Sequence, residues 1–209
     1  LERGFIRVSR SSAAAPVLFA KKPGGGLRFC VHYRALNAIT QKDQYPLPLI
    51  HKTLQQISKT KWFTKVDVIQ AFHKICIAKG DEWKTAFCAR FGLYEWLVTP
   101  FGLANAPSTF QQYINWVLRE EVDNFCSAYI DNVLIYSNGS RKNHEDKVKS
   151  IIRKLEAAGL HLEVDKSEFS VKKTKYLGYI IEAGQGVSMD PEKVSAITAW
   201  KTPKMVKGI

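Results

Sequence analysis

The chain has 209 residues, 45% of them apolar and 24% charged, which excludes disorder and collagen-like repeats and allows one domain or one unit with subdomains. No apolar run approaches the ~18 residues of a membrane span, so no membrane is expected among its partners. The 31 Lys+Arg against 19 Asp+Glu give a net charge of +12, a pointer to a polyanionic partner such as nucleic acid.

The excess is uneven. Residues 1–60 carry ten Lys/Arg against Glu2 and Asp43, a net +8, and the other 149 residues carry only +4. The start, Leu1-Glu2-Arg3-Gly4-Phe5, has neither an initiator Met nor a signal-peptide layout, so the chain reads as a piece of something longer. Next come two strand-like runs, Val17–Ala20 and Leu27–Arg34, around Lys21-Lys22-Pro23-Gly24-Gly25-Gly26. They predict a hairpin with a mobile basic tip, unless it is an ordinary surface hairpin. Tyr45-Pro46-Leu47-Pro48 must be extended, and a short helix with Ile50, Leu54 and Ile57 on one side follows. Residues 61–68 alternate as a strand, with Trp62, Thr64, Val66 and Val68 facing one way and Phe63, Lys65 and Asp67 the other. Ile69–Phe72 starts a turn or helix.

Asn105-Ala106-Pro107 signals a helix start, with Phe110, Ile114, Val117 and Leu118 as its apolar stripe. Residues 126–136 predict a second hairpin, with Asp131-Asn132 as its turn. An amphipathic helix spans about Ser140–Ala158 and stops at Gly159. Lys175–Ile181 reads as one more strand. Irregularly alternating strands and helices with several hairpins predict an α+β fold, an antiparallel sheet with helices on one face. Cys30, Cys76, Cys88 and Cys126 include no CxxC pair, so they read as reduced, intracellular thiols rather than zinc ligands.

Asp67 and Asp131 are the chemistry-bearing candidates. Two carboxylates on neighbouring strands suit a pair of Mg²⁺ ions about 3.5–4 Å apart. Each Asp also has a plain reading: Asp67 as a helix N-cap, and Asp131-Asn132 as a favoured turn pair.

Ordered motifs favour the chemistry. Tyr129-Ile130-Asp131-Asn132-Val133-Leu134-Ile135-Tyr136-Ser137 resembles the YxDD hairpin of reverse transcriptases. Leu27-Arg28-Phe29-Cys30-Val31-His32-Tyr33-Arg34-Ala35-Leu36-Asn37, Tyr45–Pro48, Phe63–Asp67, Pro100-Phe101-Gly102-Leu103-Ala104-Asn105-Ala106-Pro107 and Tyr176-Leu177-Gly178 follow the same family's order. The resemblance runs from about Gly4 to the last residue and is nearest to the polymerase segment of gypsy-type LTR retrotransposon Pol polyproteins.

That resemblance implies a reverse-transcriptase fingers and palm with a truncated thumb. Fingers would be about 5–60 and 79–103, palm about 61–78 and 104–182, and 187–209 the start of the connection to the thumb. The activity implied is RNA-directed DNA polymerisation with two Mg²⁺ ions, Mn²⁺ being an alternative. Asp67, Asp131 and the Val68 carbonyl would hold metal. Lys22 and Arg28 would contact the incoming triphosphate, and Phe72 would sit under its sugar and favour deoxynucleotides, although a core aromatic is an equal reading of Phe72. Phe101 and Gly102 would lie near template and nucleotide, and Leu177 and Gly178 at the primer end. Implied partners are an RNA or DNA template with a DNA primer, deoxynucleoside triphosphates and other segments of the same polyprotein. The implied location is intracellular, in a cytoplasmic particle or the nucleus.

The match departs at Asn132, which stands at the family's third Asp position and removes a negative charge. His32 stands where the family usually has Asp, and Cys76 and Cys88 where it often has basic residues. Asp→Asn and Arg→Cys each need one transition, so the chain also reads as a decaying copy. Two functions therefore stand side by side: an impaired polymerase, and a catalytically dead, nucleic-acid-binding remnant.

Overall fold

A computed structural model describes residues 1–21 and 25–200. The elements in chain order are β1 (Ile6–Val8), β2 (Ala15–Lys21), β3 (Leu27–Val31), α1 (Arg34–Ile39), α2 (Ile50–Ile57) and β4 (Trp62–Asp67). Then follow β5 (Phe87–Ala89), β6 (Gly92–Trp96), α3 (Ala106–Val117), β7 (Cys126–Tyr129), β8 (Asn132–Ser137) and α4 (Arg141–Ala157). The chain continues with β9 (Glu168–Val171), β10 (Lys173–Tyr176), β11 (Tyr179–Glu182), β12 (Gly186–Met189) and α5 (Pro191–Thr198).

The central sheet is antiparallel, in the order β7-β8-β4-β9. β8 buries Val133, Leu134, Ile135 and Tyr136 in succession, the mark of a strand covered on both faces. On one face α3 and α4 deliver Phe110, Ile114, Leu118, Val148, Ile151 and Leu155 against Val66, Val133 and Ile135. At about 1.5–3 kcal/mol per fully buried large apolar side chain, this face is the main store of stability. Polar ties cross it as well. The fully buried His144 of α4 joins Thr64 Oγ1 through Nε2 and Ser137 Oγ through Nδ1, each at 2.9 Å.

The opposite face is not bare, as helices on one side alone would leave it. There α2 and a small sheet, β10-β11-β12, bring Leu54, Ile57, Tyr176 and Ile181 onto Phe63, Leu134 and Tyr136. The stretch expected as one strand, Lys175–Ile181, is two. Leu177 and Gly178, at φ +50° and +79°, reverse the chain and pair Tyr176 with Tyr179.

A third sheet, β1-β6-β5-β2-β3, carries the basic N-terminal part. The β2–β3 hairpin pairs Val17 with Val31 through Lys21 with Leu27. The strand expected to run to Arg34 stops at Val31, because Tyr33 turns inward, donates its hydroxyl to Thr85 O (2.7 Å), and α1 begins. Parallel pairing of Ala15 with Phe87 and Pro16 with Cys88 roots the hairpin. At the head of α3, Asn105 caps with its backbone only. Its side chain instead accepts from Asp43 N (3.0 Å) and donates to Gln41 O (2.9 Å), tying the extended segment before Pro46 to the helix.

Candidate active site

Asp67 is the last residue of β4, in register with Asn132, the first residue of β8. The hairpin turn is Ile130-Asp131, one residue earlier than expected, because Tyr129 pairs with Asn132. Ile130 adopts φ +53°, a conformation that costs a β-branched residue about 1–3 kcal/mol. The Val68 N–H donates to Asp131 O at 2.8 Å, so the turn is pinned to β4 and the two aspartates end side by side. Asp67 caps no helix: the following 3₁₀ turn, Ala71–Lys74, is entered through Gln70 at φ +50°. On the other side of β4, the Glu163 N–H donates to Asp67 O (2.9 Å) and Val68 bridges Leu162.

A cleft of about 750 Å³ opens over these strand ends. Asp67, Val68 and Asp131 line its floor, Arg28 of β3 and Phe101 its walls. Burial raises the Asp67 pKa above its ordinary value, the charge of Asp131 raises it further, and Lys166 and Lys65 oppose the shift. Paired, mutually repelling carboxylates with only oxygen donors suit a hard divalent cation. Among the described residues no three His, Cys, Asp or Glu side chains converge closely enough to hold an ion. Asp67 and Asp131, with Glu163 nearby in the same cleft, are oxygen donors of the kind that Mg²⁺ takes alongside backbone and water. Asn132 adds no charge. Its Nδ2 donates to Asp131 Oδ1 at 3.1 Å.

The other expected residues divide. Lys22 lies outside the described residues. Arg28 is exposed and lines the cleft, with Phe101 across from it. Phe72 is half-buried behind the wall, edge-on to Phe101 (5.2 Å between ring centroids) and Phe110 (6.1 Å). Gly102 is exposed and outside the cleft lining. At φ +99°, a Cβ there would stand 3.4 Å from Val31 O, and its carbonyl accepts from Asn37 Nδ2 at 2.8 Å. Leu177 and Gly178 occupy the β10–β11 tip, away from the cleft lining, with the Lys193 side chain lying over Gly178.

Three cleft residues carried no sequence signal. Glu163 and Lys166, 3.9 Å apart, flank Asp67 from a 3₁₀ turn, Val164–Lys166, too short to show a periodic pattern. His73 stacks on Trp96 (5.4 Å, 25°) and touches Phe5 and Phe101. Burial lowers its pKa, and neither ring nitrogen has a hydrogen-bond partner among the described residues.

Comparison with known proteins identifies the fold and the family. The family model described as reverse transcriptase (RNA-dependent DNA polymerase) matches residues 20–181. The Tf2-7 and Tf2-3 transposon polyproteins of Schizosaccharomyces pombe are each 39% identical over 204 residues, 98% of this chain. The chain spans only 15% of those polyproteins' length. Among solved structures, the foamy viral protease-reverse transcriptase dRH in complex with ds DNA superposes with a TM-score of 0.88 at 22% identity. That match covers 99% of this chain and 36% of the other. The native prototype foamy virus protease-reverse transcriptase gives 0.74 at 27% identity over 88% of this chain and 24% of its own. The paired aspartates at the β4 and β7–β8 ends therefore sit in a shared fold, and the chain belongs to the reverse transcriptase family, in its gypsy-type retrotransposon branch.

Proposed function

We propose that this chain is the fingers-and-palm part of an RNA-directed DNA polymerase that adds deoxynucleotides to a primer 3′-hydroxyl. The observation that carries this is the juxtaposition of Asp67 and Asp131 on the floor of a cleft walled by Arg28. Fingers would be about 5–60 and 79–103, which hold the basic five-stranded sheet. Palm would be about 61–78 and 104–182, which hold the central sheet. Residues from 187 on would begin the connection to the thumb.

Asp67, Asp131 and the Val68 carbonyl would hold two Mg²⁺ ions, or Mn²⁺ in their place. When bound, such ions lower the pKa of the attacking hydroxyl and offset charge on the leaving pyrophosphate. Arg28, and Lys22 by resemblance, would neutralise the triphosphate as the hairpin approaches it. Phe72 would support Phe101 and limit space at the sugar 2′ position. Gly102 would set the Phe101 loop, and Leu177 with Gly178 would steady the primer end. Template, primer, nucleotides and the remaining polyprotein segments are the partners this reading requires, in a cytoplasmic particle or the nucleus. Solved foamy viral relatives in complex with dsDNA and with RNA/DNA hybrid support a duplex as the ligand. No helix of the described residues is long and apolar enough to cross a membrane.

One observation favours the second reading, a binding remnant: the Asn132 amide bonds the carboxylate that should face metal. Cys76 and Cys88 are both exposed, at sites where a long basic side chain would reach solvent and add to duplex binding. Sibling copies that share Asn132, Cys76 and Cys88 would refute decay. Mg²⁺-dependent primer extension on an RNA template, with Asp67→Ala as control, separates the two functions. Extension abolished by the control supports the polymerase. Duplex binding without extension supports the remnant.

A further inference from the structure

Ile130 sits in the turn that aims Asp131, and its positive φ is one that an ordinary turn would give to glycine. Something outside the hairpin must hold it there. Gln111 of α3 is fully buried beneath the turn. Its Oε1 accepts the Ile130 N–H at 2.8 Å, and its Nε2 donates to Ala128 O at 3.0 Å. One amide therefore grips both the last residues of β7 and the turn itself.

The amide's own orientation is fixed from behind. Gln111 Nε2 also donates to Asn115 Oδ1 (2.9 Å), and Asn115 Nδ2 donates to Tyr45 OH (3.0 Å). A flipped Gln111 would place its oxygen against two acceptors and its nitrogen against a donor, so only one rotamer satisfies the set. Tyr45 belongs to the extended Tyr45–Pro48 segment, and the relay runs from there through α3 to the turn.

We propose that Gln111 is a positioning residue. It holds the Ile130 peptide in its strained conformation and so aims the Asp131 carboxylate, with Asn115 and Tyr45 locking the amide. This rests on the polymerase reading only in what Asp131 is aimed at.

The test uses Gln111→Met, which keeps length but neither donates nor accepts, and Asn115→Ala, at a half-buried position. Two readouts need no turnover: amide hydrogen exchange at Ile130 against Val133 and Leu134, and affinity for Mn²⁺ alone. Gln111→Met should speed Ile130 exchange at least tenfold with Val133 and Leu134 unchanged, and weaken Mn²⁺ binding three- to tenfold. Asn115→Ala should move both in the same direction by less. Unchanged Ile130 exchange, or faster exchange with unaltered Mn²⁺ affinity, overturns the proposal. If Gln111→Met does not fold, Asn115→Ala carries both measurements under the same criteria. Absence of primer extension by the unaltered chain would count against the polymerase reading, and both readouts would still decide this one.

Discussion

Asn132→Asp places a further carboxylate beside the Asp67–Asp131 pair. Asn132 faces Asp67 in register across β4 and β8 and bonds Asp131 Oδ1 at 3.1 Å. The substitution turns that bond into repulsion. Facing positions on antiparallel strands lie about 4.5–5.5 Å apart. Two unit charges at ~5 Å interact by about 3 kcal/mol at an effective dielectric of 20, and solvent reaching the open cleft reduces this to roughly 2 kcal/mol. Without divalent ions the variant should therefore melt about 4–8 °C lower, at about 2–4 °C per kcal/mol for a domain of this size. With millimolar Mg²⁺ most of the loss should return, because the added charge strengthens ion binding. Primer extension should rise about 10²–10³-fold, the usual worth of one well-placed electrostatic group in a catalytic site. Melting curves with and without Mg²⁺, and extension rates on a primed RNA template, check both. Equal Mg²⁺ stabilisation and equal rates for the two proteins would refute the role assigned to position 132.

Three further outcomes are expected. Burial lowers the His144 pKa below 6.5, assisted by Lys147 and opposed by Glu145, so the unfolded chain takes up the proton first. Stability should be full above about pH 6.5 and fall by up to about 1.4 kcal/mol per pH unit below it. Urea melts from pH 7.5 to 5.5 should show a shallower slope in His144→Gln; His73 shares the direction and can be replaced in parallel. Phe72→Ala, which removes the ring supporting Phe101, should raise ribonucleotide incorporation at least tenfold in competition assays, and unchanged discrimination would leave Phe72 as core only. Gly178→Ala places a Cβ at φ +79° against the Lys193 side chain and should cost about 1–2 kcal/mol in denaturant melts, with a rise in KM for primer if the tip contacts it.

Much of the frame was legible because local chemistry and tertiary structure agree. The Ser140 hydroxyl accepts from Asn143 N, α4 ends before Gly159, and its 3.6-residue stripe is the buried one. The β2–β3 hairpin and the Asn105-Ala106-Pro107 helix start behave the same way. Disagreement arose where tertiary contacts overrule propensity. An Asp-Asn pair is the natural turn, yet the turn falls on Ile130-Asp131, because Gln111 and Val68 hold it there. Leu177 at φ +50° hides a chain reversal inside a strand-like run. Asp67 and Asp131 were legible as a pair only through the order of motifs around them. Glu163 and Lys166 were not legible, because the long-range pairing of Val68 with Leu162 brings them to the cleft.

The pairing of β4 also fixes when the cleft can exist. Its partners come late in the chain: Phe63 lies opposite Tyr136 on one side and Val171 on the other. The sheet bearing Arg28 closes earlier, once Trp96 is available to Ile6. During synthesis the basic hairpin can therefore assemble while Asp67 still stands on an unpaired strand edge. A ribosome must move past residue 137, the end of β8, before the two carboxylates meet, and past residue 171 before β4 is paired on both sides, so the nascent chain completes its basic sheet before Asp67 and Asp131 come together.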